Sequence, residues 1–346
     1  AGVPDSVEVN RLVPRASLKI ETALEQVQPI IDSVQHRGES ALIEIAQKFD
    51  GFDPSPIRVP QTELDQALLG LSAPLRKALE ESIRRVRLVS LNNLPEATHT
   101  ELGDGAVVHQ RWQPVDSVGL YVPGGKAVYP SSVVMNVVPA QVAGVKRLVI
   151  TTPGQKAFGG RPHPTVLAAA ALLGVTEVYC LGGPAAIAAL ALGVPSINLD
   201  PVVMITGPGN IFVTAAKRAL RGVVGIDSEA GTTEILVIAD ETANAEHVAA
   251  DLLSQAEHDE AAASVLVTDS ETLAHSVLKQ ISAIAGATKH SDRVRTALEG
   301  QQSAIVLVDD LQAGIAFANA YATEHLEIHT RQLERNITAW KTRGSA

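Results

Sequence analysis

An α/β protein with parallel sheets, behind a mainly helical N-terminal segment, is the fold class this sequence predicts. Three observations carry the prediction. Hydrophobic residues fill 46 % of the 346 positions while aromatics fill only 3 %. The core is therefore built from Ala, Val, Leu and Ile, as in buried parallel sheets. From about residue 106, short strand-like runs alternate with helix-like stretches of small apolar residues, the texture of βαβ units. Before that point, apolar residues recur at helical spacing.

In chain order, Leu24, Val27, Ile31 and Val34 form one helical stripe, interrupted by Pro29, whose ring disfavours a straight helix. Ser72 is placed to cap a helix starting near Pro74, with Leu75, Leu79, Ile83 and Val86 along one face. Asn92, Asn93, Pro95 and the Gly103-Asp104-Gly105 stretch mark a break. Strand-like runs follow at 117–122, 147–151, 177–181, 202–205, 223–226, 234–239, 264–268 and 303–308. Helix-like stretches such as 165–173 and 184–192 lie between them. Gly231 and two threonines make a second hinge near 226–232. This order predicts an inserted α/β domain, 112–226, within a first α/β domain made of both flanks, 1–111 and 227–346.

The formal net charge of −10 repels phosphate backbones and anionic lipid, so neither nucleic acid nor membrane is an expected partner. No apolar run reaches the roughly 18 residues of a bilayer span. Residues 1–11 lack the basic-then-apolar pattern of a signal peptide. The one cysteine, Cys180, permits no internal disulfide, which agrees with the cytoplasm. It ends the apolar run 177–181 and reads as a buried small hydrophobe; the other reading is a catalytic thiol.

Chemistry is expected at four places. Glycine-rich turns follow three strand-like runs: Tyr121-Val122-Pro123-Gly124-Gly125-Lys126, Gly182-Gly183-Pro184 and Gly207-Pro208-Gly209-Asn210. Such turns let a backbone approach a phosphate beyond the strands' carboxyl ends, although none is the GxGxxG fingerprint. Gln255 and His258, in Ser254-Gln255-Ala256-Glu257-His258-Asp259, lie three apart at the end of a helical stretch. That spacing can place an amide oxygen and an imidazole nitrogen on one metal ion; a solvated helix end is the plainer reading. Glu324 and His325 are adjacent and can serve as two proton-transfer groups, or stand in a surface loop. Thr233, in Ala230-Gly231-Thr232-Thr233-Glu234, can orient a polar substrate or cap a turn.

Taken together, in this order and spacing, the segments resemble histidinol dehydrogenase. The resemblance is carried by Val118-Gly119-Leu120-Tyr121-Val122-Pro123-Gly124-Gly125, Pro139-Ala140-Gln141-Val142-Ala143-Gly144, Gly207-Pro208-Gly209-Asn210, Asp251-Leu252-Leu253-Ser254-Gln255-Ala256-Glu257-His258 and Ala322-Thr323-Glu324-His325-Leu326. It implies two incomplete Rossmann-like domains and an intertwined homodimer. The inserted domain, 112–226, would bind NAD+, and the flanking domain would carry the zinc-ligand helix and the catalytic pair. It implies Gln255 and His258 as Zn2+ ligands that also touch the substrate, and Glu324 and His325 as the catalytic pair. His325 and Thr233 would contact the substrate, and Tyr121 and Asn210 the dinucleotide. The implied reaction is the oxidation of L-histidinol to L-histidine by two NAD+, through bound histidinal.

Two departures stand out. The family's Gln after Gly182-Gly183-Pro184 is Ala185 here, and Lys126 is a candidate to compensate by a phosphate contact. The resemblance also asks for a further Asp and His as zinc ligands beyond the catalytic pair, and residues 331–346 hold neither. The sequence therefore reads as lacking the family's C-terminal end, and the 346-residue chain by itself is expected to be inactive. Two alternatives stay open at this point: a related zinc and NAD+ dehydrogenase of another small primary alcohol, such as a sulfonated diol, and a non-catalytic homologue.

Overall fold

The computed structural model describes residues 6–15, 20–124, 128–229, 233–288 and 290–331. The chain opens with helices α1 (Ser6–Leu12), α2 (Ile20–Arg37), α3 (Glu39–Phe49), α4 (Gln61–Leu69) and α5 (Ala73–Asn92). An antiparallel hairpin follows, β1 (Thr98–Gly103) and β2 (Ala106–Gln110). Then come β3 (Ser117–Tyr121), α6 (Pro130–Val142), β4 (Arg147–Thr152), α7 (Pro164–Leu172), β5 (Glu177–Cys180), α8 (Gly183–Leu192), β6 (Met204–Thr206), α9 (Ile211–Leu220) and β7 (Gly225–Ile226). The rest is β8 (Glu234–Ala239), α10 (Ala245–Ala256), β9 (Ala263–Thr268), α11 (Glu271–Ala285), α12 (Ser291–Glu299), β10 (Ala304–Leu307), α13 (Leu311–Tyr321) and β11 (His325–His329). The predicted α/β class and its parallel sheets are present.

The chain divides into two compact units, 19–230 and 1–18 with 231–346. The first holds a five-stranded parallel sheet in the order β5-β4-β3-β6-β7. One core joins α2, α8 and α9 through Val27, Ile31, Leu190 and Ala216. On a second core, α4 packs on α7 and α5 on α6, around Leu64, Leu79, Val137 and Leu167. This corrects the predicted boundary for residues 19–111, which the prediction put with the other unit; residues 1–18 do belong there. The change of texture near residue 106 is a change of secondary structure. The apolar stripes of α2, α4 and α5 find their partners on the helices of the five-stranded sheet. The 57–59 segment also docks there: Val59 N–H donates to Val178 O at 2.8 Å and Cys180 N–H to Ile57 O at 2.7 Å, which pairs the free edge of β5.

Helix α2 runs through Pro29 without a break, and Val27, Ile31 and Val34 are buried as the stripe predicts. Helix α5 starts where expected, but Ser72 makes no side-chain cap and only Leu79 of its stripe is buried. The hairpin at 98–110 was not expected. All its residues are exposed, so no hydrophobic alternation announces it.

The second unit holds a four-stranded parallel sheet in the order β10-β9-β8-β11. Helices α1 and α13 cover one face through Val9, Val13, Phe317 and Tyr321. Helices α10 and α11 cover the other through Val248, Leu252, Leu273 and Val277. The two middle strands, β8 and β9, are buried at every position, which is why both read as unbroken apolar runs.

Candidate active site

In the four-stranded unit, site residues gather at the amino ends of the strands. Thr233 immediately precedes β8, which Glu234 opens, His325 opens β11, and the end of α10 delivers Gln255. Asn244 starts α10 by accepting the N–H groups of Glu246 and His247, which fixes where the helix begins. Gln255 is buried, and its Nε2 donates to Thr233 Oγ1 at 2.5 Å. The neighbouring Glu234 N–H donates to Glu324 Oε2 at 3.2 Å, and Glu324 Oε1 lies 3.7 Å from His325 Nε2. Two hydrogen bonds to adjacent residues thus tie the helix, the central strand and the edge strand into one cluster. Thr233, Gln255, Glu324 and His325 are brought together.

The spacing argument for His258 needs one correction. Helix α10 ends at Ala256, so His258 stands just past it, exposed, rather than on the helix. The turn is kept by His258 N–H donating to Gln255 O at 3.1 Å. Its ring nitrogens have no hydrogen-bond partner among the described residues. The Gln255 amide nitrogen is spent on Thr233, which leaves Oε1 as its free donor atom. An amide oxygen fixed from behind and an uncommitted imidazole are fit ligands for zinc.

Sequence reasoning missed two features here. Arg15 donates to the carbonyls of Tyr321 and of Ala322, the latter at 2.8 Å, and approaches Glu234 at 3.5 Å. Ala322 is left-handed, with φ +51°, and ends α13 immediately before the Glu324–His325 pair. Such a backbone costs a non-glycine residue about 1–2 kcal/mol, and Arg15 holds it in place. The carboxyl of Glu234 is pushed up from its ordinary value, chiefly by burial, with Arg15 opposing and Glu324 adding to the shift.

The second missed feature is Asp251, Glu327 and His329, whose ligand atoms all lie within 4.8 Å of one another. His329 Nε2 is 3.2 Å from Glu327 and 4.0 Å from Asp251. Alternation along β11 puts 325, 327 and 329 on one face, and Asp251 is one helical turn before Gln255; both signals were readable. Two carboxylates and an imidazole suit a divalent cation. His329 and Glu327 also satisfy one another through a hydrogen-bond contact at 3.2 Å.

The five-stranded unit carries the glycine turns. Its strand order reverses at β3, with β4 on one side and β6 on the other, and a crevice beyond the carboxyl ends at such a point is where open α/β sheets bind ligands. Tyr121, the last residue of β3, is buried, and its hydroxyl accepts the Gly183 N–H at 3.1 Å. Burial pushes the pKa of that hydroxyl up. Gly207, with φ +118°, packs its backbone on the Tyr121 carbonyl with no room for a Cβ. Tyr121 therefore joins all three turns. Asn210 caps α9, its Oδ1 accepting the N–H groups of Phe212 and Val213 at 3.1 and 3.2 Å. Ala185 is buried in the core of α8. Lys126, residues 230–232 and the stretch 332–346 lie outside the described residues.

Cys180 is buried as expected. Its Sγ contacts Gly160 O at 3.3 Å, and burial pushes the thiol up to about 11. At neutral pH that sulfur is a protonated core atom.

Parallel sheets, a strand-order reversal ringed by glycine turns in one unit, and a carboxylate–imidazole pair beside candidate metal donors in the other describe an α/β protein with the parts of an enzyme. The histidinol dehydrogenase family model matches residues 13–346. Histidinol dehydrogenase of Leifsonia xyli subsp. xyli is 55 % identical over 342 residues, covering 99 % of this chain and 78 % of that protein. The Mycolicibacterium smegmatis enzyme is 56 % identical over 331 residues, 95 % of this chain and 74 % of that one. A crystal structure of histidinol dehydrogenase from Elizabethkingia anophelis superposes with a TM-score of 0.91 at 32 % identity, covering 98 % of this chain and 77 % of that chain. The chain belongs to the histidinol dehydrogenase family. No helix among the described residues is long and apolar enough to cross a membrane.

Proposed function

We propose that the natural protein to which this sequence belongs oxidises L-histidinol to L-histidine with two NAD+, through a bound histidinal, as a cytoplasmic enzyme of histidine biosynthesis. The observation that carries the proposal is the linked cluster of Thr233, Gln255, Glu324 and His325, in a chain of this family. The high identity to histidinol dehydrogenases favours histidinol over other small primary alcohols.

When bound, zinc supplies an anchor for the amine and imidazole of the substrate, and NAD+ supplies the hydride acceptor. Gln255, through Oε1, and His258, through its ring, would hold the metal. Thr233 keeps the Gln255 amide oriented and faces the substrate. Tyr121 and Asn210 shape the turns that take the dinucleotide. His325 takes the alcohol proton as hydride leaves the carbon. Glu324 then acts as general base on a water that adds to the aldehyde, and the hydrate loses the second hydride and two protons to give the carboxylate. Cys180, buried and protonated, does not serve as a nucleophile in this route.

A homodimer is part of the same reading. The β1–β2 hairpin supports it: Leu102, Val107 and Val108 stand open on a two-stranded ribbon, a surface that a second copy would cover. The test of the function is turnover of L-histidinol by the natural protein, with zinc and NAD+, against a panel of amino alcohols and sulfonated diols. Preferred turnover of histidinol is expected, and preferred turnover of a diol would overturn the proposal.

A further inference from the structure

Lys217 lies inside helix α9 and is only 2 % exposed, yet neither the fold's apolar core nor the proposed chemistry accounts for it. Its Nζ donates to Gly207 O at 2.6 Å and to Asp227 Oδ1 at 2.6 Å. The other oxygen of that carboxylate, Asp227 Oδ2, accepts the Gly207 N–H at 2.8 Å. One ion pair, buried on its lysine side and open to solvent on its aspartate side, therefore takes both backbone polar groups of a single glycine. Asp227 is fixed in turn by accepting the Ser228 N–H at 2.7 Å.

The glycine so held opens the turn Gly207-Pro208-Gly209-Asn210. At the far end of that turn, Asn210 caps the same helix that carries Lys217. The turn is thus closed at both ends by α9: at its start through Lys217 and at its end through the Asn210 cap. With φ +118° and its backbone against the Tyr121 carbonyl, Gly207 has no steric latitude. A buried ammonium is costly to desolvate and is retained only where its partners compensate it. Here those partners are the backbone of one turn and the carboxylate that shares it. Held in one conformation beforehand, such a turn loses no ordering entropy when a ligand settles on it.

We infer that Lys217 and Asp227 are positioning residues for dinucleotide binding, which preform the Gly207–Asn210 turn. This rests on the reading that the turn receives NAD+. Loss of the clamp weakens NAD+ binding and leaves histidinol binding alone, because no atom of the pair belongs to the Thr233–Gln255–Glu324–His325 cluster.

The experiment compares the natural protein with Lys217→Met, which keeps the length of the stem, and with Asp227→Asn, which keeps one acceptor for the Gly207 N–H. Arg218→Met, on an exposed position of the same helix, serves as control. NAD+ affinity by calorimetry, the KM of each substrate, and hydrogen exchange at residues 207–213 are measured. Lys217→Met is expected to raise the NAD+ Kd and KM by about tenfold or more, as loss of a charge-assisted hydrogen bond implies. Histidinol KM stays constant and exchange at 207–213 speeds up. Asp227→Asn shifts the same quantities less, and Arg218→Met shifts none. If Lys217→Met fails to fold, Asp227→Asn decides. Unchanged NAD+ binding in the folded variants, or an equal rise in both KM values, overturns the inference. A natural protein that does not bind NAD+ overturns the dinucleotide reading itself.

Discussion

The Gln255 amide and the Thr233 hydroxyl, 22 residues apart in the chain, meet at 2.5 Å, with the amide nitrogen donating. This contact decides which end of Gln255 is available. Thr233→Val keeps the side-chain volume and removes the acceptor. Zinc affinity, read by chelator competition, is expected to fall about 10- to 100-fold, the usual cost of losing the group behind a ligand. Unchanged affinity would show that Thr233 does not orient Gln255.

Glu324 is held by the Glu234 N–H and lies within 3.7 Å of His325. As the proposed base for water addition, it would be needed only in the second oxidation. Glu324→Gln is expected to slow that step by about 10²–10⁴-fold and to leave the first hydride transfer nearly intact. Stopped-flow absorbance should show one fast NADH and one slow. Equal slowing of both would remove Glu324 from its assigned step.

Cys180 is buried with its thiol pushed up to about 11. Cys180→Ser is expected to retain both oxidations at the natural rate. Selective loss of histidinal oxidation in this variant would restore the thiol route.

Glu234 carries the pH prediction. Its folded carboxyl titrates above the ordinary 4.5, mainly through burial, so the folded state favours the protonated form. Its contribution to stability is full below pH 4.5 and is lost as the pH rises through the raised value. Glu234→Gln cannot ionise. Its unfolding midpoint should gain on the natural protein as the pH rises between about 4 and 8. A gap that is constant with pH, or that narrows, contradicts the assignment.

The alternation of buried strands and helices was legible because β3, β8 and β9 are buried at every position, and burial imposes apolar runs. β11 was not read as a strand because His325, Glu327 and His329 make one of its faces polar, although the alternation itself was there. The hairpin at 98–110 was missed for a related reason: none of its side chains is buried, and only the Asp104-Gly105 turn marks it. Pairings across the chain were not legible at all. Nothing in a sequence ties Thr233 to Gln255, Arg15 to Ala322, or Lys217 to Gly207, because sheet order and helix docking create those contacts. The domain boundary failed likewise, since α2, α4 and α5 differ in texture from the sheet they pack on.

The central claim is a four-electron oxidation in one site. Its most direct test is to count NADH formed per L-histidinol consumed by the natural protein with zinc, under limiting histidinol. The account predicts two NADH for each histidinol, with L-histidine as product and no free aldehyde. One NADH per histidinol with histidinal released, or no NADH at all, would contradict it.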